Sequence, residues 1–173
     1  MKIFGVAGWS GSGKTTLVVQ LLPELTGRGL RVSTMKHAHH DFDIDMPGKD
    51  SHAHRAAGAA EVLVASARRW ALMHEHRGAP EPSATELARR MTPVDLLLIE
   101  GFKREAHDKL EVYRAAVGKP PLYPDDPRIV AVASDAPLPG TPLPVLDLDD
   151  VGAIADFILG HCGLRGRRAA GPP

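Results

Sequence analysis

The segment Gly-Trp-Ser-Gly-Ser-Gly-Lys-Thr, residues 8–15, decides the fold of this chain. It matches the phosphate-binding pattern G-x-x-x-x-G-K-[ST] at every fixed position. An apolar run at residues 3–7 precedes it, and apolar residues at helical spacing follow it as far as Leu25. A strand, a glycine-rich loop and a helix in this order predict a nucleotide-binding α/β domain.

Two side chains of this phosphate loop have the groups needed to bind a phosphate chain and its magnesium ion. Glycines allow the backbone N–H groups to turn inward around an anion, and the amino terminus of the helix adds its dipole. Lys14 can then reach the β- and γ-phosphates, and the hydroxyl of Thr15 can ligate Mg²⁺. We therefore expect Lys14 to be catalytic as well as nucleotide-binding.

A second acidic group is needed beside the metal, and two candidates flank the apolar strand at residues 94–99. Asp95 begins this strand and Glu100 ends it, so roughly 16 Å separates them. Ligands of open parallel sheets bind at the carboxyl ends of the strands. Glu100 is therefore the predicted magnesium-shell or water-orienting carboxylate, and Asp95 is predicted to cap a turn.

Residues 36–51 form an unusual loop that is rich in histidine and aspartate. The spacing of its aspartates begins like a calcium-binding EF-hand loop, but Met46 stands where that loop needs glycine. Three histidines could bind nickel or zinc, although adjacent loop residues rarely converge in tetrahedral geometry. The histidines are His37, His39 and His40.

This loop leaves the carboxyl end of the second predicted strand and should lie beside the phosphate loop. Lys36, Lys49 and Arg55 could then meet phosphate charge, with Arg55 as the best candidate for an arginine against the γ-phosphate. Asp41, Asp43, Asp45 or Asp50 could hold a magnesium-bound water, and Asp45 is the one that we predict to do so. The alternative for each of these residues is that it belongs to a solvated polar loop and contacts no ligand.

Strands alternate with helices along the chain, which predicts an α/β fold with a mostly parallel central sheet. Two β-prone runs, residues 61–66 and 70–74, predict a β-hairpin extension. We expect one domain over residues 1–162 and a disordered tail over residues 163–173. Near the end of a late strand, Asp135 is a candidate reader of the nucleotide base, although it also suits a turn.

Composition limits the partners and the compartment. The 173 residues contain 21 basic and 21 acidic side chains, so the formal net charge of zero predicts no nucleic-acid or membrane partner. Cys162 is the single cysteine, which excludes an internal disulfide framework. No signal-peptide pattern and no apolar stretch of about 18 residues is present, so we expect a cytoplasmic protein.

Three segments together make the chain resemble the MobB family. They are the phosphate loop, the stretch Lys-His-x-His-His-x-Phe-Asp-Ile-Asp-x-Pro-Gly-Lys-Asp-Ser at residues 36–51, and Asp-Leu-Leu-Leu-Ile-Glu-Gly-Phe-Lys at residues 95–103. The phosphate loop is common to many families, and the histidine-aspartate stretch is specific. The resemblance runs from about residue 2 to about residue 160.

The resemblance implies a P-loop NTPase-type three-layer sandwich that binds GTP with Mg²⁺ and hydrolyses it weakly at most. It also implies a homodimer that assists the guanylyltransferase joining GMP to molybdopterin in molybdenum cofactor biosynthesis. Glu100 matches the acidic residue of the family's Glu-Gly-Phe-Lys motif. The residues then expected to bind the nucleotide are Ser10, Gly11, Ser12, Gly13, Lys14, Thr15, Thr16, Lys36, His37 and Asp135.

Two other classes of function remain open on sequence grounds. A small-molecule P-loop kinase would have a similar size, but residues 77–90 are short for an arginine-bearing lid. A nickel-insertion GTPase would use the histidines of the 36–51 loop. Titration with nickel or zinc separates this last class from the others.

Overall fold

The computed structural model describes residues 1–38, 42–102 and 105–166. The chain divides into two compact units, one formed by Met1–His37 and Ala84–Pro173 and the other by Ala38–Ser83. The prediction of a single domain over residues 1–162 stays a prediction. Most of the predicted tail, residues 167–173, lies outside the described residues.

The first unit is built on a six-stranded parallel sheet with the strand order β2-β5-β1-β6-β7-β8. This confirms the predicted α/β class with a mostly parallel sheet. The strands are β1 (Lys2–Ala7), β2 (Val32–Lys36), β5 (Leu96–Glu100), β6 (Lys109–Tyr113), β7 (Ile129–Ser134) and β8 (Val145–Asp147).

Helices cover both faces of this sheet. They are α1 (Lys14–Gly27), α3 (Ala84–Arg90) and α4 (Val151–Cys162). Side chains of β5 alternate between the faces, so Leu96 and Leu98 join the core beneath α1 and α4, while Leu97 and Ile99 pack with α3. Because all four are fully buried, β5 lies at the centre of a three-layer arrangement.

The second unit contains one short helix and the predicted hairpin. The helix α2 spans Asp50–Ala56, and the strands β3 (Glu61–Ala65) and β4 (Trp70–His74) pair antiparallel. Val62 and Met73 face each other and are buried. Leu63 and Leu72 form the next pair and point to the opposite face, where they are exposed. The hairpin therefore carries an apolar face that its own unit leaves uncovered.

Helix α1 continues through Pro23 to Gly27, where the sequence places its end, and its buried residues Leu17, Leu21 and Leu25 hold it against the sheet. Strand β8 is not among the predicted strands, because three residues after a proline-rich segment give too short a pattern to recognise. It forms by pairing Leu146 with Ala133 of β7.

Candidate functional site

Five parallel strands bring their carboxyl ends to one edge of the sheet. In spatial order β2 ends at Lys36, β5 at Glu100, β1 at Ala7, β6 at Tyr113 and β7 at Ser134. The register pairs the end residues of neighbouring strands, Lys36 with Glu100 and Tyr113 with Ser134. The chain segments that follow these strands therefore lie side by side, at the edge where open α/β sheets bind ligands.

The phosphate loop follows β1 and leads into α1. Gly8 has a φ of 142°, and a Cβ atom there would lie 2.5 Å from the carbonyl oxygen of Val112, so only glycine fits. Lys14 Nζ donates a hydrogen bond to the carbonyl oxygen of Trp9 at 2.8 Å, across the loop. The loop is thus closed on itself with the Lys14 ammonium inside it.

Glu100 lies directly against the first turn of α1. The hydroxyl of Thr15 donates to Glu100 Oε1 at 2.6 Å. Only 11% of the Glu100 side chain is exposed, so the carboxylate is fixed in the floor of the site. Asp95, by contrast, accepts the backbone N–H of Arg31 at 2.7 Å near the amino-terminal edge of the sheet, and its turn-capping role stays a prediction.

Lys36 lies beside these two hydrogen-bonded oxygen atoms. Its Nζ lies 3.4 Å from Thr15 Oγ1 and 3.4 Å from Glu100 Oε1. A hydroxyl and a carboxylate are hard oxygen donors of the kind that Mg²⁺ takes. An ammonium already stands beside both oxygens, so their positions suit a cation.

His37 is the first residue after β2, and its position is set by the chain that follows Glu100. Its backbone N–H donates to the carbonyl oxygen of Glu100 at 2.9 Å, and its ring lies 4.7 Å from that of Phe102. A Cβ atom on Gly101, whose φ is 90°, would come within 3.0 Å of His37 Cβ. This glycine therefore permits the close approach of the two strand ends.

Sequence reasoning missed Arg114, which follows β6. Its Nε donates to the carbonyl oxygen of Ser12 at 3.3 Å, and its Nη1 lies 2.8 Å from Asp135 Oδ2. Arg114 thereby connects the phosphate loop with the candidate base reader. The sequence could not predict this contact because it does not show the order of the strands. Only in the folded sheet does β6 lie between β1 and β7.

Beside Asp135, the ends of β7 and β8 enclose a cleft of about 240 Å³. Its lining is partly polar and partly apolar, and it consists of Ser134, Asp135, Ala136, Pro137, Val145, Leu146 and Asp147. The hydroxyl of Ser134 accepts the backbone N–H of Ala136 and shapes the turn that carries Asp135. The cleft is open at the same sheet edge as the phosphate loop.

A proline-rich segment is also tied to the phosphate loop. Trp9 Nε1 donates to the carbonyl oxygen of Pro120 at 2.7 Å. Glu111 on β6 is fully buried and accepts the backbone N–H groups of Leu122 and Tyr123 at 2.7 and 2.9 Å. Burial raises the pKa of Glu111, while these two hydrogen bonds oppose the rise.

Asp45 and Arg55 belong to the second unit and contact each other there. Arg55 Nη2 lies 2.9 Å from Asp45 Oδ1 and 2.7 Å from Asp43 Oδ1, and Arg55 Nη1 lies 3.2 Å from Glu75. The hydrogen bond with Asp43 is the largest cause of a raised pKa for the Arg55 guanidinium. The assignments of Arg55 to catalysis and of Asp45 to the metal stay predictions.

Within residues 1–38, 42–102 and 105–166, no three His, Cys, Asp or Glu side chains are grouped as ligands for a metal ion. His39, His40 and Asp41 lie outside the described residues. The histidine-based nickel hypothesis is therefore untested. In the part of the chain that the structure describes, no helix has the length and apolar character needed to cross a membrane.

Comparison with known proteins identifies the family. The family model for molybdopterin guanine dinucleotide synthesis protein B, MobB, matches residues 3–135. The chain belongs to the MobB family. It is 46% identical over 160 residues to the molybdopterin-guanine dinucleotide biosynthesis adapter protein of Escherichia coli K12, and the match covers 91% of each chain. It is 42% identical over 159 residues to the protein of the same name from Haemophilus influenzae, covering 90% of this chain and 86% of that one.

Solved structures of MobB proteins share the fold. A structure titled molybdopterin-guanine biosynthesis protein B has a TM-score of 0.66 at 28% identity, over 92% of this chain and 99% of that one. A Bacillus subtilis MobB structure has a TM-score of 0.70 at 23% identity, over 94% of this chain and 98% of that one. The second likeness supports the fold alone.

Proposed function

We propose that this protein is a GTP-binding adapter that assists the attachment of GMP to molybdopterin in molybdenum cofactor biosynthesis. The observation that carries the proposal is the hydrogen bond between Thr15 and Glu100, 2.6 Å long, beside a complete phosphate loop. Membership of MobB, whose curated relatives are named adapter proteins of this biosynthesis, supports the adapter role.

In this proposal the triphosphate binds at the amino terminus of α1. The backbone N–H groups of residues 10–16 surround the phosphates, and Lys14 leaves the carbonyl of Trp9 to contact the β- and γ-phosphates. The exchange is favourable because a phosphate oxygen carries charge and a carbonyl oxygen does not. The contributing residues are Ser10, Gly11, Ser12, Gly13, Lys14, Thr15 and Thr16.

Mg²⁺ would be held by Thr15, with Glu100 orienting its water shell. The metal would neutralise negative charge on the phosphates. Lys36 Nζ lies 3.4 Å from both oxygens, so its ammonium would be available to the phosphates on the same side of the site. His37 follows on the same strand end and lines the same edge of the site.

Guanine would occupy the cleft beside β7 and β8. Its volume of about 240 Å³ is adequate for a purine ring, and Asp135 offers a carboxylate to the N1–H and N2–H₂ donors of guanine. Adenine lacks this pair of donors. Asp135 therefore supplies a physical reason for preferring GTP over ATP.

The protein would act through its surface as well as through its nucleotide. The uncovered face of the hairpin carries Leu63, Leu72 and Trp70, which are 59%, 46% and 66% exposed. Apolar side chains clustered on one face of a two-stranded ribbon are costly unless they are covered. We assign this face to a homodimer contact, and the partners of the dimer are molybdopterin and the guanylyltransferase.

Reconstitution tests the function directly. Purified guanylyltransferase, molybdopterin carrying molybdenum, Mg²⁺ and limiting GTP are incubated with or without the protein, and the guanine dinucleotide formed is measured by chromatography. We expect the protein to increase the yield and Thr15→Val, which loses only the hydroxyl, to abolish the increase. Equal yields with and without the wild-type protein would contradict the adapter role.

A further inference from the structure

We infer that Arg114 is a positioning residue of the phosphate loop, that it holds one loop amide toward the phosphates, and that Asp135 in turn holds Arg114. The inference rests on the proposed function only in requiring that the loop bind polyphosphate. It assigns a role to Arg114 and gives Asp135 a second role that is independent of the nucleotide base.

The geometry begins with a single peptide group. Arg114 Nε contacts the carbonyl oxygen of Ser12 at 3.3 Å. This carbonyl and the N–H of Gly13 belong to the same planar trans peptide and point in opposite directions. A guanidinium bound to the outward carbonyl therefore fixes the Gly13 N–H inward, where the phosphate lies.

The loop needs such a restraint at this peptide. Gly13 has a φ of 99°, in the region that glycine enters readily, and the side chain of Ser12 is buried. A glycine peptide can rotate at low cost, and rotation would turn its N–H away from the ligand. A carbonyl held by a charged donor keeps the peptide in its binding orientation before the phosphate arrives.

Asp135 completes the arrangement at the other end of the guanidinium. Its Oδ2 lies 2.8 Å from Arg114 Nη1, and the two residues follow strand ends that are paired in register, Tyr113 with Ser134. The Arg114 and Asp135 side chains are 36% and 32% exposed, so the pair adds little to folding stability. Its effect is to restrict the rotamers of Arg114.

If these two residues acted only through their charge, their substitution would change the affinity for an anion differently. If Arg114 acted only as a nearby cation, lysine would replace it, and neutralising Asp135 would strengthen the binding of an anion. If Arg114 acts by position, lysine fails because it cannot donate to both partners in a fixed fork, and neutralising Asp135 weakens anion binding.

Inorganic tripolyphosphate with Mg²⁺ is the probe, because it has no base for Asp135 to contact. Its affinity is measured by calorimetry for wild type, Arg114→Lys, Asp135→Asn and the control Arg128→Gln, whose arginine pairs with Asp108 at the start of β7. We expect Arg114→Lys and Asp135→Asn each to bind about five- to tenfold more weakly, because each indirectly weakens a single hydrogen bond to the phosphate. The control should bind like wild type, and all four proteins should melt at similar temperatures.

Two outcomes overturn the inference. Unchanged affinity in Arg114→Lys, or tighter binding in Asp135→Asn, would show that charge alone acts at this position. Failure of the wild type to bind tripolyphosphate, GTP and ATP would instead contradict the proposed function. The two failures are therefore distinguishable within one set of titrations.

Discussion

Replacing Glu100 with glutamine removes one negative charge from the floor of the site and keeps the shape of the side chain. Glu100 accepts the Thr15 hydroxyl at 2.6 Å, and an amide oxygen can still accept that bond. Lys36 is 59% exposed at its side chain and lies 3.4 Å away, so losing this ion pair costs folding little. We therefore expect a small change in melting temperature.

The effect on magnesium is expected to be much larger. The side chain of Glu100 is 11% exposed, so its interaction with a bound cation is weakly screened. A charged hydrogen bond of about 1.5–3 kcal/mol to the metal's water shell corresponds to roughly a ten- to 150-fold loss of magnesium-dependent affinity. The affinity for GTP in the presence of a chelator should change far less.

The assay is equilibrium titration of GTP in the presence of Mg²⁺ and in the presence of a chelator. It is carried out for the wild type, for Glu100→Gln and for one control variant. The matched control is Asp95→Asn, because Asp95 lies at the other end of the same strand and accepts the backbone N–H of Arg31. This control should be slightly destabilised and should keep the full magnesium effect. If Glu100→Gln keeps it too, or if Asp95→Asn loses it, the assignment of the metal-side carboxylate is refuted.

Three further predictions concern assembly, turnover and pH. The wild type should sediment as a dimer, and the double variant Leu63→Lys/Leu72→Lys should sediment as a monomer. The control Val19→Lys, at a position on α1 that is 60% exposed, should remain dimeric. Equal dimerisation of all three proteins would exclude the hairpin face as the dimer interface. The isolated protein should hydrolyse GTP far more slowly than the ~10 s⁻¹ of ordinary enzymes, and a rate near that value in a phosphate-release assay would favour the kinase or GTPase hypotheses. The hydrogen bond from the His161 ring lowers the pKa of Asp108, so the stability that Asp108 contributes is fully present above its unfolded-state pKa. Asp108→Asn should therefore lower the melting temperature at pH 7. The difference from wild type should begin to shrink below pH ~4 and vanish below the lowered pKa of the folded protein.

The strand-loop-helix unit and the buried central strand could be predicted from sequence because each has a strong local pattern. Residues 8–15 have fixed spacing, and the run at 94–99 is too apolar for any place except the centre of a sheet. The parallel direction of the strands then placed Glu100, rather than Asp95, beside Thr15, as the structure has it.

The role of Arg114 could not be predicted because it depends on strand order. Arg114 follows an ordinary strand and approaches Ser12 only since β6 lies next to β1. In the second unit, the guanidinium of Arg55 contacts three carboxylates that the sequence did not single out as its partners, and its place against phosphate stays a prediction. A sequence shows which residues carry charge, but the partners of each charge are set by the folded chain.

Binding of GTP with Mg²⁺ to wild type and Lys14→Ala is the most direct test of the central claim, that this phosphate loop binds a nucleoside triphosphate. Lys14 Nζ now contacts the carbonyl oxygen of Trp9, and the alanine variant removes the ammonium while leaving the loop backbone in place. Calorimetry should show saturable binding to the wild type and a loss of at least about thirtyfold in the variant, from roughly 2 kcal/mol for the charged contact. Equal affinity of the two proteins, with equal circular dichroism spectra, would contradict the claim.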